Sequence, residues 1–375
     1  MLKPASWSLY GLELAYYRDI VWEDGTEAYA PLLVLRLEAE DGSIGVSEVK
    51  VKPGWYGVSY KSLIGSMEEI FLPMLSGIDM ADPAAFMKRA RRVPENQIAK
   101  ALVDNALWDR GAWTTIYPPD HLSGPNRKVD VSWLLTRAAP ESMVSEAARM
   151  VGKHGFRTLK LKGGQGIDTD LQVVREIRAA LGDSVRLYVD ANWHYDADEA
   201  VDYVNRLADV GVVAAEDPCR LRPDARFSEL QSGSEIPLIV DLFCASLSDA
   251  ELFAERGAKA LSLKPARIGL SDCLDQARLA RETGILVHVG FGGESSLGAL
   301  SALRLSDVLP YRDTWLPAEV SFFLMMKEQI LTTPLDVEDG SVTLPDARSI
   351  ASITDFEKIE RLAKCKVVSG RFGQG

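Results

Sequence analysis

Three acids and two lysines, set at nearly even intervals, are the residues of this 375-residue chain that invite chemistry. Lys162 closes the run Thr158-Leu159-Lys160-Leu161-Lys162, and Asp190 closes Leu187-Tyr188-Val189-Asp190. Glu216 closes Val213-Ala214-Ala215-Glu216, Asp241 closes Leu238-Ile239-Val240-Asp241, and Lys264 closes Leu261-Ser262-Leu263-Lys264. Consecutive members lie 28, 26, 25 and 23 residues apart. A strand, a helix and two short loops use roughly that many residues, so the interval reads as a βα repeat. Each strand then carries one ionisable group at its C-terminal end, where a (β/α)₈ barrel places its catalytic residues.

Asp190, Glu216 and Asp241 come from successive strands, so their carboxylates converge on one side of the barrel mouth. Hard oxygen ligands on rigid elements suit Mg²⁺, and Mn²⁺ would fit the same set. For any single acid the plainer reading is an ion pair with a neighbouring base; three in register favour a metal. Lys160 and Lys162 stand two apart on a strand and so share a face, with Leu159 and Leu161 packing outward. Two adjacent ammonium groups disfavour each other's charge, so at least one should titrate low and serve as a general base. Lys264 ends a strand four places further round and approaches from the opposite side. Two bases flanking a metal-bound carboxylate can move a proton at its α-carbon while the metal neutralises the enediolate as it forms. The alternative for each lysine is an ion pair to a ligand carboxylate; Lys160 has that role or touches the substrate carboxylate. A Schiff-base lyase, with a strand-end lysine as nucleophile, and a barrel that merely binds a carboxylate would draw on the same residues.

The elements that must hold these groups follow the repeat. Val129–Leu135 is the first expected strand, Ile285–Gly290 the seventh, and the eighth lies near Thr314–Glu319. Leu171, Val174, Ile177 and Leu181 form one apolar helix stripe, and Ala197, Ala200, Val201, Val204 and Leu207 another. Gly155, Gly182, Gly211, Gly257 and Gly284 each sit just ahead of a strand, where a helix C-terminus favours glycine. Before the repeat, Leu32–Leu37 and Ile44–Val46 flank an Asp41-Gly42 turn, so an antiparallel sheet is expected there. Ser62–Leu75, Asp82–Val93 and Gln97–Ala112 carry helical patterning, and Thr114–Lys128 reads as a linker. Tyr16–Ala28 stands apart as a polar, aromatic segment, and Lys52–Gly57 as a loop displaying Trp55 and Tyr56; such aromatics close over a ligand or staple the loop to the surface. The domains expected are 1–123, 124–330 and 331–375, the last returning to the first.

Composition bounds the function. Forty-two Lys and Arg against 54 Asp and Glu give a net charge of −12, which argues against nucleic acid or an anionic membrane as partner. Cys219, Cys244, Cys273 and Cys365 form no CxxC pair, so they read as thiols in a reducing compartment, with Cys219 and Cys244 near enough to strand ends to line a pocket or to pack. No opening signal peptide and no run approaching 20 apolar residues is present, and a cytoplasmic enzyme is expected.

Lys160-Leu-Lys162, Val189-Asp190-Ala191-Asn192, Glu216-Asp217-Pro218, Asp241 and Lys264-Pro-Ala-Arg267-Ile-Gly269 together resemble the enolase superfamily, and within it the muconate lactonizing enzyme subgroup. Gly45-Val-Ser-Glu48, Ala106-Leu-Trp108-Asp109 and the segment Asp339 to Asp346 extend the likeness over nearly the whole chain. The resemblance implies a modified TIM (β/α)₇₋₈ barrel with an α+β capping domain built from the N-terminal region and the C-terminal tail. It implies Mg²⁺ on Asp190, Glu216 and Asp241, Lys162 and Lys264 as acid and base, and a small carboxylate substrate. Substrate contacts are expected from Asn192, Glu294 and Glu319, and from Tyr17, Trp22, Trp55 and Tyr56 on the capping loops. A homo-oligomer is also implied. The activity implied is cycloisomerisation or racemisation/epimerisation, with dehydration of an acid sugar or hydroxy acid as the alternative. Lys264 stands where the mandelate racemase branch would show a His–Asp pair, so His288 is not expected to be catalytic, and His194 is expected on a solvated loop. Val240-Asp241-Leu242-Phe243 departs from the usual context of the third ligand, and Leu316-Pro-Ala-Glu319 lacks the Asp-x-Asp of dipeptide epimerases.

Overall fold

Strand β1 (Pro4–Trp22), strand β2 (Gly25–Ala39) and strand β3 (Ile44–Lys50) run antiparallel in that order. The structure, a computed structural model, describes residues 1–112, 127–309, 315–364 and 368–372. The expected linker up to residue 126, Cys365 and Thr314 lie outside the described residues. The Asp41-Gly42 turn joins β2 to β3 as expected, with the Ser43 amide and hydroxyl donating to Asp41 Oδ1. Alternation along β2 then divides the core. Leu33, Leu35 and Leu37 pack on the helices Tyr60–Ser66, Pro83–Ala90 and Gln97–Leu107, whereas Leu32 and Val34 join the core shared with the barrel.

The polar segment Tyr16–Ala28 is not separate from this sheet. It is the far end of the β1–β2 hairpin, turning at Glu23 and Asp24, with Ile20 opposite Glu27 and Trp22 opposite Gly25. Extra residues between Ala15 and Ile20 shift the register there, and such an irregularity bends a hairpin. Its outer face is polar because it faces water, which is why it does not read as a strand by hydrophobicity alone.

Past the undescribed segment, strand β4 (Lys128–Asp130) pairs antiparallel with Ser341–Thr343. Strands β5 (Trp133–Leu135), β6 (Thr158–Lys162), β7 (Arg186–Asp190), β8 (Val212–Glu216), β9 (Leu238–Val240), β10 (Ala260–Leu263) and β11 (Leu286–Val289) then form one parallel sheet in sequence order. The expected first strand is therefore split, its front half pairing with the chain's tail. Strand-connecting helices cover the outside, and Leu171, Val174, Ile177, Ala200, Val204 and Leu207 are buried beneath them. The helices Pro140–His154 and Leu270–Thr283 end on left-handed Gly155 and Gly284, where a residue with a Cβ would be strained.

Closure of the barrel is accomplished by bridges rather than by a full eighth strand. The Glu319 amide donates to Val289 O at 2.9 Å on one side. On the other, Ala318 N donates to Asp130 O at 3.1 Å and Ser132 N to Ala318 O at 3.0 Å. Pro317 supplies no N–H, which prevents a continuous ladder. The tail segment Val368–Arg371 pairs with β1, adding a fourth strand to the N-terminal sheet. No helix among the described residues is long and apolar enough to cross a membrane.

Candidate active site

Lys162, Asp190 and Glu216 are the last residues of β6, β7 and β8, and parallel register sets them side by side. Asp241 and Lys264 immediately follow β9 and β10. All five are buried. Lys162 Nζ lies 2.6 Å from Asp190 Oδ2, and Lys160 Nζ reaches the same oxygen at 3.0 Å. Lys160 also donates to Glu216 Oε2 at 2.7 Å and Glu319 Oε2 at 2.8 Å. Across the mouth, Lys264 Nζ is 2.5 Å from Asp241 Oδ2 and 3.9 Å from Glu216 Oε1, while Arg267 Nη1 holds Asp241 Oδ1 at 2.9 Å. Three acids thus stand side by side around the mouth, with one lysine at each end.

Burial works against every charge here, and the neighbours decide which charges survive. Burial lowers the Lys162 ammonium, the Lys160 charge adds to that, and Asp190 only partly opposes it. Burial also penalises Lys160, but Asp190, Glu216 and Glu319 hold it well above the usual lysine range. The expected depression falls on Lys162. Lys264, likewise desolvated, is held above its usual value by Asp241 and Glu216. The two amines facing each other therefore differ in proton affinity. Asp190 and Asp241 are kept well below the usual range, their burial outweighed by the lysines and Arg267. Glu216 is raised by burial with Asp190 and Asp241 adding to it.

These acids are held by their own loops. After Asp190 the chain takes a left-handed turn at Asn192 and Trp193, with the Asn192 amide donating to Asp190 Oδ1 at 2.8 Å. Buried Asp217 accepts from the amides of Asp241 (3.1 Å) and Leu242 (2.9 Å), fixing the end of β9. Burial pushes the Asp217 carboxyl up to about 7, and Asp241 and Asp190 add to the effect.

The donor set can be tested for a cation. Glu216 Oε1 and Asn192 Oδ1 are buried yet have no hydrogen-bond partner among the described residues. A buried, unsatisfied carboxylate oxygen among further acids is a site for a hard cation. The ligand atoms lying within 4.8 Å of one another belong, however, to Glu216, His288 and Glu319. Two of that group already share the Lys160 ammonium, so a cation is in place there. Oxygens of Asp190 and Asp241 are turned instead onto Lys162, Lys264 and Arg267.

An aromatic wall covers the strand ends. Trp22 and Trp55 meet edge to face at 5.9 Å, and Trp55 meets Trp193 at 6.4 Å. Lys162 Nζ lies 5.6 Å from the Trp55 ring and 5.9 Å from that of Trp22. The cavity between wall and strand ends, lined also by Tyr56, Asn192, Lys264, Phe291 and Glu319, is about 20 Å³. That is room for little more than one water.

The remaining expected residues divide. Trp22, Trp55, Tyr56, Asn192 and Glu319 line the cavity. Glu294 is buried nearby but turns back onto the Gly292 amide, both oxygens at 3.0 Å. Tyr17 is not brought to the site: its side of β1 faces water and it is 66% exposed, whereas Tyr16 points in. Parity along β1 signals this, since Leu12, Leu14, Tyr16, Ile20 and Trp22 share the buried face. His194, its side chain 40% exposed, sits against Glu23 at the rim. Buried His288 lies 3.7 Å from Glu319 and 3.4 Å from the Tyr188 hydroxyl. Cys219, Cys244 and Cys273 are buried and lie outside the cavity lining. Trp193 and Arg267 are not singled out by spacing, although Arg267 sits inside a strand-end motif and Trp193 directly follows one.

Known proteins resemble the chain over most of its length. Residues 17–120 match the family described as mandelate racemase / muconate lactonizing enzyme, N-terminal domain, and residues 142–348 match the family described as enolase C-terminal domain-like. Muconate cycloisomerase 1-2 of Acinetobacter lwoffii is 28% identical over 341 residues, covering 89% of this chain and 88% of the relative. Muconate cycloisomerase 1 of Rhodococcus opacus is 30% identical over 341 residues, covering 88% and 90%. The solved muconate lactonizing enzyme from Pseudomonas fluorescens, complexed with muconolactone, superposes with a TM-score of 0.87 at 25% identity, covering 97% of this chain and all of that one. N-succinyl Arg/Lys racemase from Bacillus cereus shares the fold at a TM-score of 0.87 with 20% identity.

Proposed function

This chain belongs to the mandelate racemase/muconate lactonizing enzyme family and is an isomerase of the enolase superfamily, and from that premise we propose that it moves a proton at the α-carbon of a small carboxylate, using Lys162 and Lys264 from opposite faces. The observation that carries the reading is the placement of these two amines. Each is buried, each is paired with a different strand-end aspartate, and both line the same cavity. Asp190, Glu216 and Asp241 would hold Mg²⁺, or Mn²⁺. Such an ion, when bound, neutralises charge on the substrate carboxylate as the α-carbon loses its proton. Lys162, whose ammonium is disfavoured by burial and by Lys160, accepts the proton as the C–H bond breaks. Lys264, held in its charged form, delivers one. Delivery to the same carbon from the other face inverts it; in a cycloisomerisation no C–H bond breaks first: a second carboxylate of the substrate adds across its double bond, and one lysine ammonium gives its proton to the α-carbon of the enolate so formed. Lys160 sits beneath and bridges Asp190, Glu216 and Glu319, offsetting their mutual repulsion, while the indoles of Trp22, Trp55 and Trp193 meet the apolar body of the substrate and exclude water.

Cycloisomerisation is the outcome favoured by the relatives that span most of the chain, which are named muconate cycloisomerases. The test is incorporation of deuterium from D₂O at the α-carbon across a panel of cis,cis-muconate, N-acylated amino acids, proline derivatives and acid sugars with MgCl₂. Exchange should occur with one class and fall by about 10²–10⁴ when Lys162 or Lys264 is replaced by alanine. Undiminished exchange in the Lys162→Ala, Lys264→Ala double variant would refute the assignment of both bases.

A further inference from the structure

The hairpin that closes the cavity is tied to the barrel at two places. Near its bend, Arg18 donates to Thr136 Oγ1 at 3.0 Å and pairs with Glu146 at 2.7 Å. At its tip, the Glu23 carboxylate pairs with Arg137 and lies 3.1 Å from His194 Nδ1. Thr136 and Arg137 directly follow β5. Arg137 is buried, and the rest of its guanidinium is directed at backbone carbonyls: Nε donates to Gly163 O at 2.6 Å, and Nη2 points to Ala191 O at 3.5 Å. Gly163 follows Lys162, and Ala191 follows Asp190. One side chain therefore touches the residue after the proposed base, the residue after a proposed metal ligand, and the turn that closes the cavity. A planar fork with five N–H donors can serve three directions at once, which a lysine cannot. The packing is made for it: Gly164 has φ +84°, and a Cβ there would lie 2.5 Å from Arg137 Nη2 and 2.9 Å from His194 Cβ.

With about 20 Å³ free in the cavity, the wall over the strand ends has to move to admit a substrate, and a parting of the hairpin from the barrel would break the charged Glu23–Arg137 contact. We propose that Arg137 is a positioning residue that couples closure of the hairpin tip to the alignment of the Lys162 and Asp190 strand ends. With Glu23 engaged, the guanidinium is fixed and clamps both carbonyls. With Glu23 withdrawn, the fork turns and both loops slacken, so the base and the acid are set only when the cavity is shut. The consequence for catalysis rests on the proposed role of Lys162, but the coupling is measurable without substrate.

Hydrogen–deuterium exchange of the full chain, read by mass spectrometry, tests it. In Glu23→Gln the amides of residues 18–27 should exchange at least fivefold faster, and those of 163–166 and 191–195 at least twofold faster, with the helix Leu247–Glu255 unchanged. Arg137→Gln should speed all three segments at least fivefold, and adding Glu23→Gln to it should speed residues 18–27 no further. Arg137→Lys should protect the hairpin more than it protects the two loops, because a point charge can pair with Glu23 but cannot hold both carbonyls. Loops at wild-type rates in Glu23→Gln would overturn the coupling, and that variant decides the matter even if Arg137→Gln fails to fold. Effects of the two substitutions that multiply in the double variant would overturn it as well.

Discussion

Replacing Lys160 by methionine isolates what holds the strand-end acids together. The ammonium is fully buried and lies 2.7 Å from Glu216, 2.8 Å from Glu319 and 3.0 Å from Asp190. Methionine keeps the unbranched apolar stem and removes the charge. Asp190 retains Lys162 at 2.6 Å, but Glu216 is left with Lys264 at 3.9 Å, so the loss falls on Glu216 and Glu319. Removing one partner of a buried charge cluster costs roughly 3–5 kcal/mol, because the other charges stay behind in a medium that solvates them poorly. An unfolding entropy of about 2.1 cal/mol/K per residue gives about 0.8 kcal/mol/K for this chain, so Tm should fall by about 4–6 °C. The pH dependence has a definite sign. Lys160 holds Glu319 below the usual carboxylate range, a contribution present above that range and lost on acidification. Glu216 is already raised, and without Lys160 rises further, which costs stability as pH increases. Both effects widen the deficit upward in pH. Calorimetry of wild type and Lys160→Met without added metal should show a small difference near pH 5 and the full one near pH 8. A variant as stable as wild type at pH 8, or a deficit greater at pH 5, would refute the reasoning.

Two further outcomes follow. Adding MgCl₂ or MnCl₂ at a hundredfold excess over its dissociation constant should stabilise the wild type by about 2.7 kcal/mol, or about 3 °C in Tm; the shift should vanish in Asp190→Asn, Glu216→Gln and Asp241→Asn, and persistence in all three would exclude this metal set. Asp104, buried at the cap–barrel boundary and accepting from the Ser271 amide and hydroxyl, is pushed by burial up to about 7 from the ordinary 3.8. A raised carboxyl costs stability as pH climbs from about 4 through 7, here by roughly 4 kcal/mol at most. Urea unfolding at pH 5 and pH 8 should show Asp104→Asn losing less stability over that interval than wild type, and parallel losses would count against the burial argument.

What was legible in the sequence follows from the range of the signal. A charge ending a β-branched run is a local pattern, and its recurrence every 23 to 28 residues gave the barrel and brought Lys162, Asp190, Glu216, Asp241 and Lys264 to one mouth. The Tyr16–Ala28 hairpin is a local signal as well, but a diluted one: Asp24-Gly25 is a turn signal and Leu12, Leu14, Tyr16, Ile20 and Trp22 mark the buried face, yet Glu13, Arg18 and Asp19 between them lower the hydrophobicity. Parity would have excluded Tyr17 and kept Trp22. The eighth strand expected near Thr314–Glu319 was legible in place, but its form, a strap broken by Pro317 and held by hydrogen bonds to Asp130, Ser132 and Val289, could not be read because those partners lie far off in the chain. Nor could Arg137, whose partners Glu23, Gly163 and Ala191 lie on three separate elements. The residues proposed to perform chemistry sit at strand ends and obey a period, whereas those proposed to govern access to them meet only through tertiary contacts. A related chain can therefore keep all five strand-end groups while a substitution at Trp22 or Trp55 alters what the cavity admits, since both indoles line the cavity and neither belongs to the barrel repeat.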